Sequence, residues 1–194
     1  MIKLGITGGI GSGKTIVCEV FKCLGIPVFN SDLIARRIVD QNACVINEIK
    51  SQFGDDVYTN VGLDRKKLSQ IVFQNKSALE RLNSIVHPAV FDEFQAWLAE
   101  NKNAPFIIKE AAIMFESGTY KEMDKIATVF APEKIRLNRV VKRDHIPVDQ
   151  INKRIENQIT EQEKINRSDF VIVNDDEQMV LPQVIKIFNE LRKV

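Results

Sequence analysis

The run Gly8-Gly9-Ile10-Gly11-Ser12-Gly13-Lys14-Thr15 holds the residue types and spacing in this chain that can most directly do chemistry. It follows the apolar stretch Ile2-Lys3-Leu4-Gly5-Ile6-Thr7 and precedes an amphipathic segment, which is the context of a phosphate-binding loop (P-loop) between a strand and a helix. Glycine lets the backbone curl until successive N–H groups converge, and a helix starting near Lys14 adds the positive end of its dipole to the same concavity. Lys14 then neutralises the β- and γ-phosphates of a nucleotide, and the Thr15 hydroxyl reaches Mg²⁺. The alternative is an ordinary Gly-rich turn that holds nothing. The loop specifies the group that is bound, and the reaction has to be read from other residues.

Asp32 follows the second apolar run of the chain. At the carboxyl end of a strand in an open parallel sheet, where ligands collect, its carboxylate can bind Mg²⁺ or accept the proton of an attacking hydroxyl. It can equally cap a helix beginning at Leu33, a part that Asn30 or Ser31 can share. Glu110 closes the run Phe106-Ile107-Ile108-Lys109, where a carboxylate can orient metal-bound water, and Glu116 is a further acid near the same edge. Basic residues at 136, 139, 142 and 143 recur at helical spacings, and a helix expected over 149–160 carries Arg154. They read either as a hairpin presenting guanidinium groups to an anion or as a solvated, salt-bridged surface. In the first case they form a lid that closes over phosphates, excludes water that would hydrolyse ATP, and stabilises charge on the transferring group. The guanine-reading pattern Asn-Lys-x-Asp fails at Asn75, Asn101 and Asn152, because Ala78, Ala104 and Ile155 occupy the Asp position. No Asp-x-x-Gly switch follows a strand, so a small kinase remains ahead of a GTPase.

These residues need a frame. Apolar runs at 3–7, 27–29, 106–109, 126–130 and 169–173 read as five strands, and their near-continuous apolarity predicts an α/β fold with a parallel sheet covered by helices on both faces. Val17, Val20, Phe21 and Leu24 recur at helical spacing before Gly25 and Pro27, which completes a compact βαβ unit. The third strand waits until Phe106, leaving a helical insertion of roughly seventy residues that is too long for a loop and is the candidate site for a second substrate. Within it Asp64 is flanked by Leu63 and Leu68 as an N-cap, Ser77 and Glu80 form a capping-box pattern, and a helix is expected to stop at His87 so that Pro88 can open the next. Val184, Ile185, Ile187, Phe188 and Leu191 mark a closing helix with Pro182 in its first turn.

Composition narrows the classes further. The 194 residues are 44% hydrophobic and 27% charged, which is globular, and 27 basic against 26 acidic side chains leave a charge of +1. Such a balance gives no support to nucleic-acid coating or membrane-surface binding, so any anion specificity must be local. Cys18, Cys23 and Cys44 with two histidines make neither a disulfide framework nor a zinc site, and read as reduced thiols of a cytoplasmic protein. No apolar run reaches the length of a membrane span, and the first residues lead into a strand rather than a signal peptide.

The chain resembles the dephospho-CoA kinase family over almost its whole length. The resemblance is carried by residues 4–15, by Ser31-Asp32-Leu33-Ile34-Ala35-Arg36, His87-Pro88-Ala89, Met114-Phe115-Glu116, Arg139-Val140-Val141-Lys142-Arg143-Asp144 and the segment from Arg154 to Gln158. It implies a P-loop NTPase fold and ATP- and Mg²⁺-dependent phosphorylation of the ribose 3′-hydroxyl of dephospho-CoA, the last step of coenzyme A synthesis. It implies a nucleotide-binding core over 1–32, 104–131 and 165–194, a helical acceptor domain over 33–103 and a lid over 132–164. Gly9, Gly11, Ser12, Gly13, Lys14, Thr15 and the amide of Ile16 fall on the nucleotide site, with Thr15 on Mg²⁺. Asp32 falls on the proposed catalytic acid, which can also serve the metal; Arg36 and His87 fall on the acceptor side, and Arg139 and Arg143 on the lid. Expected partners are the small-molecule substrate alone, with the chain a monomer or weak homo-oligomer. Two departures stand out: Asn30 occupies a position where the family commonly has Asp, and Glu110-Ala111-Ala112-Ile113-Met114-Phe115-Glu116 lacks the family's Pro. A kinase for another small alcohol and a non-catalytic nucleotide sensor are the competing readings.

Overall fold

Strand β1 (Ile2–Thr7) lies at the centre of a five-stranded parallel sheet, where Leu4, Ile6 and Thr7 are fully buried. The order is β2 (Val28–Asn30), β5 (Phe106–Glu110), β1, β6 (Lys125–Phe130), β7 (Phe170–Val173). On one side of β1, Ile2 pairs with Phe106 and Ile6 with Glu110; on the other, Gly5 pairs with Ile126. The connection after β1 therefore runs toward β2 at one edge and the connection after β6 toward β7 at the other, the kind of reversal at whose carboxyl ends open parallel sheets bind ligands. The computed structural model describes residues 1–73, 75–145, 147–156 and 158–193, the side chains of Phe73, Lys76, Gln150 and Arg154 excepted.

Helices α1 (Lys14–Cys23) and α9 (Val180–Leu191) supply the apolar cover that a two-sided buried sheet requires. Val17, Phe21, Val184 and Ile187 share one buried cluster with Leu4, Ile6, Phe106, Ile108, Val129 and Ile172. Phe21 meets Phe106 edge-on, with ring centroids 6.1 Å apart and planes at 88°. Pro182 stands in the first turn of α9, where its missing N–H costs nothing. The last strand begins one residue later than the apolar run suggests. Asp169 instead turns its carboxylate back on β6, accepting the Ile126 N–H at 2.8 Å and pairing with Lys125 at 2.7 Å.

Residues Ser31–Glu100 form a second compact unit, and Met1–Asn30 with Asn101–Val194 form the first. The second unit comprises α2 (Ser31–Gln41), α3 (Ala43–Phe53), the strands β3 (Tyr58–Thr59) and β4 (Gly62–Leu63), α4 (Arg65–Phe73) and α5 (Lys76–Glu100). Its core gathers Ile38, Val45, Ile49, Val57, Ile85 and Val86. Asp64 caps α4 as expected, taking the Lys67 N–H at 3.0 Å. The cap at the start of α5 is Asn75, which accepts the Ala78 N–H at 3.2 Å, and not the pair Ser77 and Glu80.

A helix break at Pro88 does not occur; α5 runs through it for 25 residues. Pro88 leaves only the Ser84 carbonyl without its N–H partner, and both residues lie on the exposed face where solvent can serve that carbonyl. On the opposite face Ile85, Val86 and Phe94 are buried, which holds the two halves in one helix. In the first unit, the helix expected over 149–160 is α7 (Val148–Glu156), which follows α6 (Glu133–Asp144) and ends at Glu156, short of Thr160; a further helix, α8 (Glu161–Asn166), comes after it. The break is set by Thr160, whose hydroxyl accepts the Glu163 N–H at 3.2 Å and caps α8.

Candidate active site

Residues 8–13 make the turn from β1 into α1 at the sheet's central strand. Gly11 and Gly13 have φ of 79° and 93°, in the left-handed region that side chains strain. Both are also crowded: a Cβ on Gly11 would come within 2.5 Å of the Arg136 carbonyl oxygen, and one on Gly13 would overlap the Asn174 carboxamide. The turn is closed by the Ser12 N–H on the Gly9 carbonyl at 3.1 Å, and Ile16 bonds back to Gly13 at 3.0 Å. Lys14 arches over the loop, with Nζ donating to the Gly8 carbonyl at 2.9 Å and the Gly9 carbonyl at 3.4 Å. Among the described residues Ser12 Oγ is buried without a hydrogen-bond partner, while Thr15 and Ile16 are exposed on the first turn of α1.

Helix α6 braces this loop from outside. Arg139 donates to the carbonyls of Gly11 (3.4 Å), Ser12 (3.5 Å) and Asn174 (3.0 Å), and pairs with Asp176. Asn174, just past β7, donates from Nδ2 to the Ser12 carbonyl at 2.8 Å. Arg136 is only 3% exposed and reaches the Ile10 carbonyl at 3.4 Å. Arg143 is not drawn to the loop: its guanidinium is exposed and held by Asp144 at 2.7 and 3.0 Å. The Arg154 side chain lies outside the described residues.

The acids divide into committed and uncommitted groups. Glu116 accepts the Ile159 N–H at 2.9 Å, fastening the segment between α7 and α8. Glu110 is buried at the end of β5. Burial pushes the Cys18 thiol up to about 12, and the Glu110 carboxylate adds to that rise. Asp32 is exposed in the first turn of α2, and among the described residues nothing donates to its carboxylate. Arg36 is likewise exposed, beside the ion pair of Arg65 with Asp40 at 2.6 Å. His87 is half-buried within α5.

Residue types mark Lys14 in the loop and helical spacing marks Arg139 as a cation that faces either an anion or solvent, but they do not mark Asn174 and Gln158, which bond the loop, Glu161, which lies beside Arg136, or Lys164, which reaches Gln158 and Glu161. The stretch Glu161-Gln162-Glu163-Lys164 reads as a solvated charged helix, and nothing in its pattern signals that Lys164 is fully buried. Arg136 stands three residues before Arg139, and that spacing is the available signal for it.

The loop can hold a polyphosphate through backbone N–H groups, the dipole of α1 and Lys14. Among the described residues no group of three or more His, Cys, Asp or Glu can cage a metal ion. A lone exposed hydroxyl at Thr15 suits Mg²⁺, which keeps most of its ligands as water and phosphate oxygens. No described helix is long and apolar enough to cross a membrane. A parallel sheet of this order with a P-loop on its central strand and arginines bracing that loop defines a P-loop phosphotransferase.

Comparison with known proteins gives the particular family. The family model for dephospho-CoA kinase matches residues 2–179. The chain is 36% identical to the dephospho-CoA kinase of Bacteroides fragilis, covering 96% of this chain and 91% of that one. It is 40% identical to that of Salinibacter ruber, covering 90% and 89% respectively. The solved dephospho-CoA kinase of Campylobacter jejuni superposes with a TM-score of 0.70 at 29% identity, over 98% of this chain and 97% of that one. The chain belongs to the dephospho-CoA kinase family, whose reaction is the ATP-dependent phosphorylation of dephospho-CoA in the last step of coenzyme A synthesis.

Proposed function

We infer that this chain transfers the γ-phosphoryl group of ATP to the ribose 3′-hydroxyl of dephospho-CoA, with the donor held by residues 8–16. Lys14 leaves its two loop carbonyls to neutralise the β- and γ-phosphates, and the N–H groups of Gly9, Gly11, Ser12, Gly13, Thr15 and Ile16 complete the cradle. Thr15, with Asp32 as a second candidate, would hold Mg²⁺, which bridges phosphate oxygens and offsets their charge. Asp32 accepts or orients the proton of the attacking hydroxyl, a role open to it because its carboxylate is exposed and uncommitted among the described residues. Arg36 and His87, both in the helical unit Ser31–Glu100, serve the acceptor. Arg139 and, on closure, Arg143 stabilise the transferring group and exclude water. The enzyme works on small molecules in the cytoplasm as a monomer or weak homo-oligomer, and binds neither nucleic acid nor membrane.

The single observation that supports this reading most is the loop itself: a Lys14 ammonium resting on carbonyls within a glycine turn, in a chain of this family. The test is a panel of acceptors offered with MgATP, including dephospho-CoA, adenosine and pantetheine, with ADP release and product mass as readouts. Dephospho-CoA alone is expected to gain a phosphoryl group, and a chelator is expected to stop the reaction until Mg²⁺ is restored. Phosphorylation of another alcohol in its place would overturn the acceptor, and ADP release without any acceptor product would overturn the kinase reading.

A further inference from the structure

One arrangement beside the loop has no part in the scheme above. The backbone N–H of Ile10 and the ammonium of Lys164 converge on one oxygen, Gln158 Oε1, at 3.3 and 3.4 Å. Lys164 is fully buried, and Arg136 is 3% exposed. Both cations share a single carboxylate: Glu161 Oε1 lies 3.3 Å from Lys164 Nζ and 3.9 Å from Arg136. Among the described residues Arg136 Nε and Glu161 Oε2 are both buried with no hydrogen-bond partner. Two buried cations with one acid leave a positive charge in excess next to a backbone donor of the loop. Burying charge without full compensation is costly, so this cluster makes physical sense if an anion completes it. The carboxamide oxygen of Gln158 accepts from the same two donors but carries no charge, and it binds them more weakly than a phosphate oxygen would.

We propose that the point where the Ile10 N–H and Lys164 Nζ converge is a subsite for an oxygen of the donor's terminal phosphate, and that Gln158 is its internal, displaceable occupant. The assignment rests on the reading of residues 8–16 as the ATP site. It makes Gln158 a competitor of the γ-phosphate and Lys164 a group that distinguishes tri- from diphosphate, roles separate from the arginines of α6. The carboxamide has to leave before ATP seats fully, whereas ADP carries no terminal group to displace it.

The test is calorimetric titration of the intact chain with the Mg²⁺ complexes of ADP and of a non-hydrolysable β,γ-imido ATP analogue, repeated with Gln158→Ala, Gln158→Glu and Lys164→Met. Gln158→Ala is expected to bind the triphosphate about three- to tenfold more tightly, the scale of one hydrogen-bonded competitor removed, with ADP affinity unchanged. Gln158→Glu is expected to weaken the triphosphate, and Lys164→Met to weaken it about tenfold or more while affecting ADP less. A Gln158→Ala protein that weakens both nucleotides equally, or changes neither, contradicts the proposal, because that is how a plain brace behaves. If Lys164→Met fails to fold, the two Gln158 variants still decide. A wild-type chain that binds neither nucleotide would instead overturn the ATP-site reading, and the subsite with it.

Discussion

Lys14 and Asp32 are assigned to different halves of the reaction, and their replacement should separate the two. Lys14→Ala is expected to weaken ATP binding by about 1.5–3 kcal/mol, the worth of a charge-assisted hydrogen bond, measured by titration of nucleotide into the protein. Asp32→Asn should cut kcat by about 10²- to 10⁴-fold while ATP affinity stays close to wild type. An active Asp32→Asn enzyme would reduce that residue to its place in the first turn of α2. The arginines of α6 give a second contrast. Arg139, which braces two loop carbonyls and that of Asn174, should raise KM for ATP when changed to Ala, whereas Arg143→Ala should leave KM near wild type and lower kcat. The loop is legible from residue types because a phosphate turn needs glycine at fixed positions, while the spacing of the α6 cations marks Arg139 but leaves open whether it faces an anion or solvent. Gln158, Lys164 and Asn174 are not legible that way. Gln158 and Asn174 act through contacts across more than a hundred residues of chain, to Ile10 and Ser12, and Lys164 through its burial against Gln158 and Glu161, which no local pattern carries.

At the scale of elements, α1 joins the chemistry at its N-terminus to the core along its buried face. Val17, Cys18 and Phe21 are buried there, and the thiol of Cys18 is held protonated. Cys18 should therefore resist alkylation in the folded protein while the exposed Cys23 and Cys44 react, counted by mass after iodoacetamide treatment. Because its folded pKa of about 12 lies above the ordinary 9.0, the stabilisation it contributes is complete below pH 9 and is lost as pH rises from there toward 12. Denaturant midpoints across that range, compared with Cys18→Ala, check the sign. Strands and long helices are legible because apolar residues repeat at their own periods. The errors fall where a local rule met a competing one: Pro88 sits on a solvent face, Asp169 serves β6 rather than extending β7, and Asn75 outranks Ser77 as a cap. The small β3 and β4 pair of Tyr58 with Leu63 and Thr59 with Gly62 is too short to show any period.

At the scale of the whole molecule, the chain divides into a sheet-centred unit that carries the P-loop and a helical unit, Ser31–Glu100, interrupting it after β2. That division suits a reaction with two substrates, since helical patterns make a hydrophobic core but leave the acceptor unspecified. Specificity for dephospho-CoA comes to this chain from its family, while the phosphate chemistry can be argued from its own loop. The most direct measurement is phosphorus NMR on the product of the wild-type enzyme with MgATP and dephospho-CoA. One new phosphomonoester signal coupled to the ribose H3′ proton is expected, appearing in step with ADP and slowed by about 10²-fold or more when Asp32→Asn replaces the wild type. A phosphoryl group on any other hydroxyl, or release of free phosphate with dephospho-CoA unchanged, would contradict it.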